Sequence, residues 1–586
     1  MLFLPLLLLT SAASHGAQEP AATQPEQELS IAHLRLTFGP QGFDPVQSTQ
    51  MIDAVMQRQI LETLTEYNYL SSTGTIQGLL AESWEVSEDK LSWTFTLREN
   101  AAFYDPFEPP LWPSRQRLLV AQDVLYSWLR MADARNTSAG FWAMDGVFRG
   151  LNEFRKRTAA LDPAIADAAF ADAMEHGLEG IQVLDRHRLK LQLLEPDPDF
   201  LQRLAMTHFE VYPQEAVLAK GRGMRDQPVG SAGFMLQEWL EGQTIILART
   251  PHWRGQESPF GDGTLPFLDQ VEFHVVRDTQ NAIQQFKDGS FDRLSLGSQG
   301  VSHFLDKDFQ IQKDFEDKNY QLFDRDGSDV TMLCFGMKDP VVGNVRGDDE
   351  GNEKRRLLRQ AIALCFPHKV WSTNVRGAAP AFSAKTFLPP VIPKSQEFPP
   401  SDLVVTDLVR ARKLLVQAGY PGGKGLPSIE LLAYQDENSQ SVALFFQATL
   451  AQIGIRLEFL PLPHHEQMER ERSGQAQVFL RAWVLDWPDA SLILQTFFGP
   501  LAGTDTNLSN FRNQDFDQLY REMKVMQDSP ERQIIIGKML AILNHETPGI
   551  PIDHRRSWIL TQPWFSNYWP HPFEPIATKY FRVAPH

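Results

Sequence analysis

Leu79-Leu80-Ala81-Glu82-Ser83-Trp84-Glu85-Val86, followed across Ser87-Glu88-Asp89-Lys90 by Leu91-Ser92-Trp93-Thr94-Phe95-Thr96-Leu97-Arg98, is the stretch on which the fold turns. Its second half alternates strictly between apolar and polar side chains, which predicts a half-exposed strand. With the polar run Ser87 to Lys90 as the turn, the two halves read as an antiparallel hairpin. Upstream, Leu34 to Phe38 alternates like an early strand. Gly39-Pro40 and Gly42-Phe43-Asp44-Pro45 follow as turn signals. Ile52, Val55, Met56, Ile60, Leu61 and Leu64 then recur at helical spacing, predicting a helix over residues 52–66.

The chain has 586 residues, about four times the ~150 residues of an ordinary domain. More than one domain is therefore expected, and burying a large core is no difficulty. A formal net charge of −18 argues against nucleic acid or an anionic membrane as partner. The two cysteines, Cys334 and Cys365, sit in apolar runs and read as buried small hydrophobes, with no metal or redox spacing. Met1 to Leu9 is nearly all apolar, and Thr10 to Ala17 is rich in small residues. Residues 1–17 thus read as a signal peptide cleaved near Ala13 to Gln18, too short to span a bilayer. No cysteine follows the apolar run, so no lipoprotein anchor is expected, and residues 18–33 read as a disordered lead-in.

A second stretch carries the chemistry: Phe479-Leu480-Arg481-Ala482-Trp483-Val484-Leu485-Asp486-Trp487-Pro488-Asp489. Val478 to Leu485 reads as a buried strand, with the turn signal directly after it. Asp486 then stands at the mouth of a strand between two tryptophans. A carboxylate there is costly unless a cation or several donors satisfy it. Either the cation arrives with a ligand, or Asp486 is a turn-capping aspartate, a common residue where strands end.

From the hairpin onward the chain resembles the substrate-binding proteins of ABC importers, in particular the oligopeptide and dipeptide-binding family (solute-binding protein family 5). The family pattern runs through an "L-D-P" turn, "L-A-E-S-W-E-V-S-x-D", "W-T-F-x-L-R" and "A-x-D-V-x-Y-S". Here it is matched in order by Phe43-Asp44-Pro45, Leu80 to Asp89, Trp93 to Arg98 and Ala121-Gln122-Asp123-Val124-Leu125-Tyr126-Ser127. Tyr104 to Leu119 departs from it as an insertion. Farther on, Gly180 to Pro196 looks like a family hairpin. Pro228-Val229-Gly230-Ser231-Ala232-Gly233-Phe234 is similar to "P-V-G-T-G-P-Y", and Ile453-Gly454-Ile455 to the helix-to-strand step "I-G-I". The likeness covers about Leu34 to about Pro563.

The resemblance implies an α/β fold of the periplasmic binding protein type (type II, with an extra lobe), two large lobes around a ligand cleft. It implies a discontinuous lobe I (residues 34–50, 194–297 and 554–586), an inserted lobe II (51–193) and a ligand-anchoring lobe III (298–553). It implies a periplasmic monomer, not an enzyme and without cofactor or metal, that hands short peptides to ABC permease subunits. In peptide-binding members the "W-x-x-D" aspartate pairs with the peptide ammonium, and Trp483-Val484-Leu485-Asp486 carries that pattern, with Trp487 next to it. Family contacts also fall on Thr49, Gln50 and Met51, on Phe141 with Trp142 beside it, and on His464, where relatives have tryptophan. Core packing is the alternative for Phe141 and Trp142. His464-His465 lacks a third metal ligand and reads otherwise as an exposed pair. Tripeptide binders hold the peptide carboxylate by an arginine six residues before the aspartate. That position is Leu480 here, and Arg481 lies one residue later, on the other face by strand alternation.

Two other functions compete. A binder of the same fold could take a sugar, an opine or a metal complex. A peptide hydrolase would need a nucleophile or metal motif, and neither G-x-S-x-G nor H-E-x-x-H is present.

Overall fold

The computed structural model of the protein describes residues 29–71, 74–219, 223–371, 382–435, 437–574 and 576–586. The expected leader, residues 1–17, and the lead-in up to residue 28 lie outside them.

The hairpin forms as its alternation predicts. Ala81–Val86 pairs antiparallel with Ser92–Leu97, with Val86 opposite Trp93. Phe95 and Leu97 point into the core while Thr94 and Thr96 stay half-buried. Arg188–Gln192 and Ile181–Val183 extend the hairpin to a four-stranded sheet. The insertion after Tyr104 is itself a hairpin, Ala102–Tyr104 with Gln116–Leu118. The fully buried Asp105 ties its loop by accepting the backbone N–H groups of Phe107 and Leu111.

A seven-stranded sheet runs in the order Phe234–Leu240, Thr244–Arg249, Gln270–Val275, Ile31–Leu36, Arg293–Leu296, Arg556–Thr561, Gln321–Asp326. Its first strand begins at Ile31, inside the segment read as lead-in. Ala32, Leu34 and Leu36 fill the core from one face, and His33 on the other disguised the alternation. A six-stranded sheet runs in the order Phe382–Ser383, Gly549–His554, Asp329–Phe335, Val478–Val484, Ile429–Tyr434, Leu457–Leu462. All seven residues of Asp329–Phe335 are buried, as a central strand requires. Cys334 lies in that strand, and both cysteines are free and buried.

The chain crosses between these two sheets twice at one place. Gln321–Asp326 continues into Asp329–Phe335 through Gly327-Ser328, and Gly549–His554 continues into Arg556–Thr561 through Arg555. The crossings touch: the Gly327 N–H donates to the Arg555 carbonyl at 2.6 Å. A Cβ on residue 327 would lie 2.7 Å from that oxygen, which is why glycine stands there.

Two expectations need correction. The third lobe does not begin at Ser298. Gln321–Asp326 is laddered to Arg556–Thr561 in the seven-stranded sheet, and Phe304 and Tyr320 pack with Phe286 and Phe291, so residues 298–326 belong with the first lobe's sheet. The helix expected over residues 52–66 covers only Met51–Gln57. Beyond it the chain unwinds, and Arg58, Gln59, Glu62, Thr63 and Glu66 line a cavity rather than the outside of a helix.

Candidate ligand-binding site

A cavity of about 570 Å³ lies where the helix start at residues 48–51, the unwound segment 58–66, the crossings at Gly327 and Arg555, and the strand end at Val484 to Asp486 meet. A second cavity, of about 860 Å³, adjoins it, and Ala139, Trp142, Val484 and Asp486 line both.

Six carboxyl groups line the first cavity. Four are matched by cations: Glu62 by Arg254 (2.7 Å), Glu66 by Lys579 (2.5 Å), Asp329 by Arg555 (2.6 Å) and Glu574 by Arg58 (3.0 Å). Burial opposes ionisation of Glu66, but Lys579 and the amides of Gln77 and Gln256 outweigh it and hold its carboxyl below the usual range. For Glu574 burial wins over Arg58, and its pKa is raised. Glu210 is buried with neither oxygen hydrogen-bonded, and desolvation raises its pKa well above that of an ordinary carboxyl, against the pull of Arg58. His208 is held neutral by burial and by Arg58, its pKa lowered to about 4.

The sixth carboxyl is Asp486. Its strand, Val478–Val484, is fixed against Asp329–Phe335, and the Leu485 N–H donates to the Ser328 carbonyl at 2.7 Å. Asp486 is thus delivered to the junction of the two cavities. The side chain presents surface to that space while protein crowds it from behind, and the desolvation pushes its pKa up to about 6, against the distant pull of Arg203. Arg203 is engaged elsewhere: it pairs with Asp197 at 2.8 Å and lies over the Trp487 ring at 4.8 Å. Among the described residues no cation pairs with Asp486. One lining guanidinium mirrors it. Arg325 donates from Nη1 to the His571 carbonyl at 2.9 Å, its buried Nε has no hydrogen-bond partner, and no carboxylate among the described residues pairs with it. Burial lowers its pKa, as for a cation short of counter-charge.

Of the residues expected at the site, Thr49, Gln50, Met51, Trp142, Val484, Leu485 and Asp486 line the first cavity. Trp483 and Trp487 line only the second. The backbone N–H groups of Thr49 and Gln50 are taken by the Asp53 carboxylate at 3.3 and 3.2 Å, so those donors are closed to a ligand. Phe141 does not cover the cleft: it is 9% exposed, packed in the core beneath the Arg155 guanidinium at 4.1 Å, and the 46% exposed Trp142 faces the space instead. His464 is the exposed first residue of the helix His464–Ser473 and lines neither cavity. Arg481 pairs with Glu471, which belongs to that helix, on the far face of the strand, so no bulge turns it toward Asp486. The four ion pairs, Glu210 and Arg325 were missed. Their partners are hundreds of residues apart, and no local pattern signals them.

The family model for "Bacterial extracellular solute-binding proteins, family 5 Middle" matches residues 75–505. Heme-binding protein A of Haemophilus influenzae is 24% identical over 528 residues, spanning 88% of this chain and 85% of its own length. Di/tripeptide-binding protein 2 of Pseudomonas aeruginosa is 24% identical over 580 residues, spanning 94% and 92%. The unliganded open form of the murein tripeptide-binding protein MppA superposes with a TM-score of 0.72 at 20% identity, over 96% of this chain and 98% of that one. With a match across most of the chain and the same α/β architecture, the protein belongs to the bacterial extracellular solute-binding proteins, family 5.

Proposed function

We propose that this protein is the extracytoplasmic substrate-binding component of an ABC importer and that its ligand is a short peptide. The observation that carries the reading is Asp486, which lines both cavities and which no cation among the described residues pairs with. A peptide α-ammonium supplies the cation it lacks, and the ion pair strengthens as water leaves the cleft. Arg325 is the matching group for the peptide carboxylate, in place of the arginine that relatives carry on the aspartate strand. The cavity volume lies within the ~300–1,000 Å³ usual for small-ligand sites. The paired crossings at Gly327-Ser328 and Arg555 serve as the hinge on which the lobes close, and the closed form is what a permease would receive. The names of the peptide-binding relatives support this reading; the haem-binding relative marks the rival, a non-peptide ligand.

A thermal-shift screen of the full chain with di-, tri- and tetrapeptides, oligosaccharides, haem and metal chelates tests it. A true ligand raises the melting temperature as RT ln(1 + [L]/Kd). Peptides with a free amine should raise it, and a response confined to haem or chelates would overturn the peptide reading. Arg325→Met should weaken a peptide with a free carboxylate roughly tenfold or more and leave its C-terminal amide unaffected. Calorimetry on both ligands checks this, and equal losses would remove Arg325 from the role.

A further inference from the structure

His33, Glu272 and His274 stand together on the seven-stranded sheet, outside both cavities. The parallel pairing of Ile31–Leu36 with Gln270–Val275 sets His33 opposite Glu272 and Arg35 opposite His274. Glu272 and His274, two apart in one strand, share a face, and His33 projects from the same face beside them. That face is opposite the one carrying Leu34, Val271 and Phe273 into the core.

Three ligand atoms converge there. His33 Nδ1 lies 3.5 Å from Glu272 Oε2, His274 Nε2 lies 3.4 Å from the same oxygen, and the two nitrogens are 3.5 Å apart. A tetrahedral zinc ion with bonds near 2.0–2.1 Å has donors about 3.3–3.4 Å apart. The trio therefore has the dimensions of one face of a zinc tetrahedron. The other oxygen of Glu272 accepts from Gln270 Nε2 at 2.7 Å, the kind of outer contact that orients a ligating carboxylate. The imidazoles stack at 5.7 Å with 22° between planes, so both rings are held in place. Side-chain exposures of 38%, 20% and 30% leave a way in and a fourth position for water.

We infer that His33, Glu272 and His274 form a zinc-class divalent metal site that staples the first strand of the chain to its neighbour in the sheet. Two imidazoles and one carboxylate select zinc and its neighbours in the transition series over magnesium or calcium, which prefer all-oxygen shells. The ligands come from strands more than two hundred residues apart, so a metal bound only by the folded sheet would stabilise the first lobe. The site lies apart from the cleft, so its failure would leave the peptide reading untouched.

Titrating the full chain with ZnCl2 by calorimetry, and melting it in zinc and in EDTA, tests the inference. Wild type should bind one zinc at this site with micromolar or tighter affinity and melt higher in zinc than in EDTA, with no response to MgCl2. His33→Asn/His274→Asn should melt like wild type in EDTA and lose the zinc response. Should the double variant fold poorly, Glu272→Gln retains shape and hydrogen bonding and should weaken zinc at least about tenfold. Absence of zinc uptake by wild type would overturn the site and leave the trio as a carboxylate hydrogen-bonded between two imidazoles. Equal uptake by wild type and all variants would move the metal to other histidines, such as His464-His465, and would equally overturn it.

Discussion

Asp486→Asn is expected to weaken a free-amine peptide by about 2–5 kcal/mol, roughly thirtyfold to several thousandfold, while the protein remains folded. Asparagine keeps the shape of the side chain and removes only the charge that the ligand ammonium would meet. An N-acetylated peptide should already bind weakly to wild type, and the substitution should add little further loss. Calorimetry on the four combinations yields a coupling energy; if acetylation and substitution act independently, Asp486 is the turn-capping residue and not the ammonium partner. The pH dependence is a second handle. Desolvation raises the Asp486 carboxyl from 3.8 to about 6, so the ionised form that the ammonium needs is lost as pH falls through 6. Affinity for the free-amine peptide should then drop about tenfold per pH unit below 6, whereas Asp486→Asn should be flat there. The empty protein should respond in the opposite sense. A raised carboxyl contributes stability that is full below 3.8 and is lost as pH rises through about 6. Empty Asp486→Asn should therefore be at least as stable as wild type at pH 7.5, with the advantage gone near pH 4.

Periodicity and turn chemistry made the framework legible. The strict alternation of Leu91 to Arg98 became a strand with Phe95 and Leu97 in the core; the apolar run at Val478 became the strand Val478–Val484, but not the buried one its composition predicts, since only Val478 and Phe479 are buried and Ala482 and Val484 are exposed. The same logic failed where function displaces packing. Ile60, Leu61 and Leu64 keep helical spacing and are buried, yet the helix stops at Gln57, Arg58, Glu62 and Glu66 line the cavity, and Thr65–Tyr67 is a strand. Asp486 could be singled out because a charge among apolar neighbours is visible locally. Arg325 could not, since on a polar strand it reads as one more exposed residue until the ladder with Arg556–Thr561 places it at the crossing. His33 was hidden similarly: its partners come from a strand whose neighbour relation is a matter of topology, not spacing.

The largest effect on stability is expected at Arg254. Arg254 and Glu62 are 6% and 4% exposed and meet through two parallel hydrogen bonds of 2.7 and 2.8 Å, with Ser231 Oγ donating a third to Glu62 at 2.9 Å. The surroundings leave little room to relax. The Arg254 guanidinium lies 5.1 Å over the Trp253 ring, and a Cβ on the adjoining Gly230 would fall 1.8 Å from the Ile60 carbonyl oxygen, so the backbone carrying Glu62 is pressed against the Pro228-to-Phe234 turn. Arg254→Met fills a similar volume but leaves a buried carboxylate without its counter-charge, and should cost about 3–5 kcal/mol. Glu62→Gln strands the guanidinium instead and should cost a similar amount. The double variant Glu62→Gln/Arg254→Met buries no charge, so it should recover most of the loss, because what each single change exposes is the desolvation of the partner left behind. Urea unfolding of the four proteins measures the coupling through shifts in midpoint at constant slope. A loss under about 1 kcal/mol for Arg254→Met, the range of solvent-screened pairs, would mean that water reaches Glu62 through the cavity it lines. In that case the cleft would be wetter than its four ion pairs imply, and the unpaired state of Asp486 would cost the empty protein correspondingly less.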